Sequence, residues 1–228
     1  MAEAVLVSWS GGKDSALALH ALRERGDYEI VGLLTTVTDA YDRVSIHGVR
    51  RDILRAQVAQ LGLPLYEIVI PAAASNAIYE RAFGATLESI RARAPGIRTI
   101  AFGDLFLEDV RAYRERLLTP RGWTAIFPLW GLNTAALADR FVQQGFQAII
   151  CCVDTQQMPA DWAGRDFDDA CLASLPAGVD PCGERGEFHT CVYAGPIFAH
   201  ALALDRGEHV RRDGRFEYCD LRLRQAND

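Results

Sequence analysis

The chain has 228 residues, 50% of them hydrophobic and 24% charged, with a formal net charge of −6. That length suits one large domain or two small ones, and the acidic balance argues against broad electrostatic binding to nucleic acid or an anionic membrane. No run approaches the ~20 apolar residues of a membrane span, the apolar stretch from Ala4 to Val7 stops too soon for a signal peptide, and six cysteines without a C-x-x-C pair suit reduced thiols in a cytoplasmic protein.

In chain order, Val5-Leu6-Val7 predicts a buried strand and the stretch from about Lys13 to Arg25 a helix. Ile30 to Val37 predicts a second strand, Val49 to Leu61 a helix stopped by Gly62, and Pro64 to Ile70 a third strand. A helix from Ser75 to Arg93, a strand from Arg98 to Phe102, a helix from Leu107 to Leu118 and a short strand from Thr124 to Phe127 follow. Strands alternating with helices imply parallel βαβ units, an α/β doubly wound sheet. Such a sheet binds ligands at the carboxyl ends of its strands, near the switch in strand order. Pro128-Leu129-Trp130-Gly131 breaks the rhythm and predicts a boundary between residues 1–130, which bind nucleotide, and residues 131–228, a smaller α+β domain closing over the strand ends. That second part predicts a helix from Thr134 to Gln144, a strand from Ala148 to Val153, and antiparallel strands at Thr190 to Tyr193, Glu208 to Arg212 and Arg215 to Leu223, the last two joined across Asp213-Gly214.

Between the first strand and first helix stands Ser8-Trp9-Ser10-Gly11-Gly12-Lys13-Asp14-Ser15. Gly11 and Gly12 let the backbone turn sharply and press its N–H groups against a ligand. The helix behind them points its amino end, with unpaired N–H groups and partial positive charge, at the same spot. Ser10 and Ser15 add hydroxyls and Lys13 a full charge, which makes a pyrophosphate cradle distinct from both G-x-x-x-x-G-K-[ST] and G-x-G-x-x-G. The plain alternative is a strand-to-helix turn capped by Ser10 or Asp14. Of the 24 cationic side chains Lys13 is the sole lysine, a compact point charge where arginine would bring a planar fork. Lys13 is therefore expected to be an exposed phosphate ligand that supports no core. Asp14 suits a Mg²⁺ ion that also takes phosphate oxygens.

Gly103-Asp104 ends the strand from Arg98, where Asp104 would hold Mg²⁺, orient substrate or cap a loop. His47 and Arg50 follow the second strand and open the next helix, at the nucleotide rim or on a solvated helix start. Glu184, Glu187 and His189 fall in a glycine-rich turn expected to be flexible. Their carboxylates and imidazole suit proton transfer, against the plain alternative of a charged loop. Cys182, Cys191 and His189 lack zinc-finger pair spacing, and Trp130 reads as a hinge packing residue.

At Ser10 to Ser15 the chain resembles the PP-loop ATP pyrophosphatases of the adenine nucleotide α-hydrolase-like superfamily, whose hallmark is S-G-G-x-D-S. Phe102-Gly103-Asp104, Pro128-Leu129-Trp130, Cys182-Gly183-Glu184-Arg185-Gly186-Glu187-Phe188-His189-Thr190 and Gly195-Pro196-Ile197-Phe198 narrow the resemblance to the diphthine–ammonia ligase family, over almost the whole chain. The resemblance implies a Rossmann-like sheet of the HUP type and an enzyme that splits ATP, with Mg²⁺, into AMP and pyrophosphate. It implies adenylation of a carboxylate on a small molecule or a protein and ammonia as nitrogen donor, as in the amidation of diphthine on elongation factor 2. The candidate nucleotide ligands are then Ser10, Gly11, Gly12, Lys13, Asp14, Ser15, His47 and Gly103. The candidate catalytic residues are Lys13, Asp104, Glu184, Glu187 and His189. The chain departs from the archaeal and eukaryotic ligases at Glu187-Phe188-His189-Thr190, where these generally read Glu-Tyr-Glu-Thr, and this leaves the acceptor open. Two rivals remain: a tRNA-modifying adenylating enzyme, disfavoured by the acidic balance and the lack of a cysteine pair, and a module that senses ATP or AMP without turnover. No membrane partner is expected, and a homodimer is left open.

Overall fold

Alternation along β1 (Glu3–Ser8) sends Val5 and Val7 to one face of a sheet and Leu6 to the other, and all three are fully buried. In the computed structural model, which describes residues 2–45 and 47–224, β1 is the middle strand of that sheet. Leu33 and Leu34 of β2 (Tyr28–Thr38) pair with Val7 and Ser8 on one side. On the other side they pair with Leu65 and Tyr66, beyond the two-residue β3 (Arg43–Val44), in β4 (Leu65–Ile70). β5 (Thr99–Ala101) lies along the opposite edge of β1, followed by β6 (Thr124–Ile126). The parallel order is thus β4–β2–β1–β5–β6, with β3 antiparallel to the end of β2. The chain winds outward from β1 on one side and then on the other. The switch falls between β1 and β5, and a crevice opens at their carboxyl ends. This is the doubly wound α/β sheet expected from the alternation of elements.

Helices cover both faces. α1 (Lys13–Arg25) and α2 (Arg51–Leu61) pack on the Val5 and Val7 side, while α3 (Asn76–Arg93) and α4 (Glu108–Leu118) pack on the Leu6 side. Ser75, the expected start of α3, caps it by accepting a hydrogen bond from the Ile78 amide at 3.4 Å.

After α5 (Thr134–Gln143) the chain forms β7 (Gln147–Asp154), α6 (Asp169–Ser174), β8 (Phe188–Ala194), β9 (Leu204–Arg212) and β10 (Phe216–Leu223). The four strands make an antiparallel sheet of order β8–β7–β10–β9. β3 and α6 were not foreseen, because two and six residues are too short to carry a periodicity. Phe141, Ile150, Phe188 and Val192 join Val5, Val7, Trp9 and Leu19 in one continuous apolar core. α1 is accordingly buried along most of its surface, between the parallel sheet and β8. No helix among the described residues is long and apolar enough to cross a membrane.

Candidate functional site

The crevice between β1 and β5 receives two segments. From β1 comes the glycine turn. Gly11 sits at φ +79°, and a Cβ there would fall 2.6 Å from the Gln57 Oε1 atom, so the position requires glycine on two counts. Ser10 Oγ accepts from the Gly12 amide and donates to Ser15 Oγ, each at 3.3 Å, while Ser15 Oγ donates to the Gly12 carbonyl at 2.8 Å. From β5 comes Gly103. A Cβ there would lie 2.8 Å from the Asp14 carbonyl carbon, so glycine is what lets the end of β5 pass against the start of α1.

The turn is not held by its own strand and helix alone. The Lys13 amide, at the amino end of α1, donates to Thr190 Oγ1 on β8 at 3.0 Å, and the Val192 amide donates to the Gly11 carbonyl at 2.9 Å. Gln57, fully buried on α2, uses its entire amide on this junction. Its Nε2 donates to the Gly11 carbonyl at 3.0 Å and to the Val192 carbonyl at 2.7 Å, and its Oε1 accepts from Trp9 Nε1 at 3.2 Å. Neither Gln57 nor Thr190 was among the expected site residues. Gln57 had a readable signal, since it shares the buried stripe of α2 with Ile53, Leu54 and Leu61.

A cleft of about 340 Å³ opens over the turn, lined from both halves of the chain. Ser10, Lys13, Asp14, Ser15, His47, Gly103 and Asp104 enter it from the first half, and Glu184 and His189 from the second. Gly11 and Gly12 shape the turn outside the lining. Phe102, Leu107 and Val110 add an apolar wall, and Arg114, 3.4 Å from Asp104 Oδ2, adds a cation that spacing had not suggested.

Three expectations need correction. Lys13 lines the cleft but is only 2% exposed. Its Nζ donates to Asp14 Oδ2 at 2.8 Å and to the Cys182 carbonyl, with the Phe188 ring 5.4 Å away. Its partner carbonyl belongs to backbone far along the chain, which no local pattern announces. Glu187 does not reach the cleft. It is buried, its Oε1 accepting from the Asp180 amide and its Oε2 from the Arg185 amide, each at 2.9 Å. With Asp180, which accepts from the Cys182 and Glu184 amides, it ties down the turn expected to be flexible. Arg50 is neither at a nucleotide rim nor simply solvated, because it forks onto Asp220 at 2.8 and 2.9 Å.

The charges in the cleft are shifted by its dryness. Burial pulls the Lys13 ammonium down, but Asp14 beside it, with Cys182 and Glu184, outweighs that and leaves it above its ordinary value. Burial pushes the Asp14 carboxyl up against the pull of Lys13, and Asp14 Oδ1 is buried with no partner. Glu184 is pushed up to about 7, chiefly by burial and against the Leu105 amide that donates to its Oε1 at 2.8 Å. His189 falls to about 4 through burial and the nearby Lys13 charge. His47 falls well below its ordinary value through burial and the proximity of His189, whose ring centroid is 4.5 Å away. At neutral pH the cleft therefore holds two uncharged imidazoles and one carboxyl able to gain or lose a proton.

Removing Lys13 leaves the Asp14 carboxylate beside the dry cleft without its counter-charge, a loss on the order of 2 kcal/mol. Lys13→Ala should therefore lower the melting temperature, and Lys13→Ala/Asp14→Asn should recover part of the loss. Thermal unfolding of the three proteins checks this; an unshifted transition in Lys13→Ala would restore the exposed-ligand expectation.

Comparison with known proteins matches two family models. Residues 2–123 match the model of the diphthamide synthase N-terminal domain, and residues 133–224 match that of the diphthamide synthase C-terminal domain. A curated relative, diphthine–ammonia ligase of Schizosaccharomyces pombe, is 23% identical over 232 residues, covering 94% of this chain. The chain spans 38% of the length of that relative. The glycine turn and the Glu184 turn each fall within a matched segment, and the chain belongs to the diphthamide synthase family.

Proposed function

We propose that the chain is an ATP-dependent ligase that cleaves ATP to AMP and pyrophosphate, adenylates a carboxylate and passes the acyl group to ammonia. The observation that carries this reading is the meeting in one cleft of a glycine turn at a helix amino end, the sole lysine, and a carboxyl brought near neutrality from the other half of the chain. The name of the S. pombe relative supports ammonia as the nitrogen donor. Six free, buried cysteines suit a reducing cytoplasm.

The turn from Ser10 to Ser15 binds the β- and γ-phosphates, with its hydroxyls and the helix amino end as donors. Lys13 exchanges its bond to Asp14 or to the Cys182 carbonyl for a phosphate oxygen. Asp14 fits magnesium through the unpartnered Oδ1, with Asp104 facing the same cleft, because that ion needs only one or two carboxylates beside phosphate oxygens and water. When bound it supplies neutralisation of charge on the leaving pyrophosphate. The acceptor carboxylate attacks the α-phosphorus and the bond to pyrophosphate breaks. Ammonia then attacks the acyl carbon, Glu184 takes the proton that nitrogen sheds, and AMP leaves. His47 and His189, both neutral, serve as hydrogen-bonding groups rather than as charges. Catalysis of this kind rests on positioning and on fixed electrostatics.

Two outcomes test the proposal. Incubation with ATP, ammonium and carboxylic acids should yield AMP and pyrophosphate in equal amounts by chromatography, whereas ADP and orthophosphate would place the chain in another mechanistic class. Because the Glu184 carboxyl is raised to about 7, it is the free base above that pH, so turnover should rise through neutrality and level off. Glu184→Gln should lower kcat by roughly 10²-fold or more and abolish that limb. A variant with the wild-type pH profile would remove Glu184 from proton transfer.

A further inference from the structure

A second, larger cavity, about 520 Å³ in volume, lies near the turn that carries His47. His47 lines the cleft, whereas Ser45 and Gly48, close to it in sequence, line this cavity, so the two sites lie near one another about His47. Thr38, Tyr41, Arg43, Arg212, Asp213 and Tyr218 complete the parts of the lining that bear chemistry. The cavity sits at the carboxyl end of β2, where β3 and the β9–β10 turn converge, and it draws residues from both halves of the chain.

Its charge is opposite to that of the protein as a whole. Asp220 takes hydrogen bonds from three guanidinium groups, Arg43 at 2.7 Å, Arg50 at 2.8 and 2.9 Å, and Arg222 at 3.1 Å. Arg212 adds a fourth cation, stacked over the Tyr41 ring at 5.3 Å and the Tyr218 ring at 5.6 Å. Among the described residues Arg212 has no carboxylate within ion-pair distance. Of the four arginines, Arg43 and Arg212 line the cavity against one lining carboxylate, Asp213, while Arg50 and Arg222 are bonded to Asp220 outside the lining and Arg50 also has Asp52 nearby. The neighbouring Asp42 is paired with Arg51 at 3.4 Å. In a chain of net charge −6, such an excess favours an anion. The stacked guanidinium presents a planar fork, which matches a carboxylate in two parallel hydrogen bonds. Thr38 and Ser45, whose hydroxyls meet at 2.8 Å, offer further polar contacts. No amino end of a regular α-helix lines the cavity to favour a phosphate, unlike the cleft over Lys13.

We propose that this cavity anchors the acceptor acid through a carboxylate other than the one that is adenylated. The inference rests on the ligase reading, because the reacting carboxylate must reach the α-phosphorus in the cleft. A group held at Arg212 in this cavity is a second one. The acceptor class is then a dicarboxylate, bridging the two cavities.

Glutarate and isophthalate serve as probes, titrated calorimetrically into the intact chain, with butyrate and inorganic phosphate as comparison arms. At least one dicarboxylate should bind the wild type, more tightly than butyrate or phosphate. Arg212→Gln should weaken that binding roughly tenfold or more while Arg212→Lys retains part of it, and the affinity for ATP should be the same in all three proteins. Dicarboxylate binding unchanged in Arg212→Gln, no binding of either diacid to wild type, or phosphate binding as tightly as the diacids would each overturn the assignment. Failure of ATP to bind, with the Arg212-dependent binding of diacid intact, would instead count against the ligase reading alone.

Discussion

The hydrogen bond from the Lys13 amide to Thr190 Oγ1 joins the chemical turn of the first half to a strand of the second. Beside it, the Gly11 carbonyl accepts from the Val192 amide and from Gln57. A glycine turn alone would have many conformations, and its polar backbone groups cost free energy wherever burial leaves them unpaired. β8 and Gln57 remove both problems together. Each such bond contributes only about 1 kcal/mol net, but leaving a buried partner unmade costs about 1–3 kcal/mol. The turn and β8 are therefore held in one arrangement. The shared core, in which α1 lies between the two sheets, extends the same constraint to the whole molecule. In this structure the two walls of the cleft are joined by these bonds.

Dryness in that cleft then sets the chemistry. Lys13 and Arg114 face three carboxyl groups, Asp14, Asp104 and Glu184. Burial raises the Asp14 carboxyl, and it pushes Glu184 up to about 7 against only the Leu105 amide and the charge of Lys13. Burial, with the nearby charge of Lys13, keeps the two histidines neutral. Asp14 Oδ1 is buried there without a hydrogen-bond partner. The cavity near His47 has the opposite balance of charge.

Much of this was legible in the chain. The five parallel strands stood out as apolar runs. The end-of-strand rule brought Asp104 to the site, and the Ser10 to Ser15 turn lies at the switch between β1 and β5. What escaped notice depends on geometry that spacing does not encode. Glu184 and Glu187 are three residues apart in a turn whose glycines, Gly183 and Gly186, take φ of 66° and 85°. Two such reversals send one carboxylate into the cleft and the other inward to backbone amides, and no count of residues tells which. The burial of Lys13 depends on the Cys182 carbonyl, a backbone group from the other half, and on the packing of Phe188. Arg212 and Tyr41 meet only because β9 ends beside the loop after β2.

The most direct test of the joint between turn and strand is hydrogen exchange at the Lys13 amide, followed by NMR in the wild type and in Thr190→Val. If β8 holds the turn, that amide exchanges roughly tenfold faster in the variant, amides of β5 keep their protection, and ATP affinity falls in parallel. Unchanged protection at Lys13 with unchanged ATP affinity would show that the turn holds its shape without the second half.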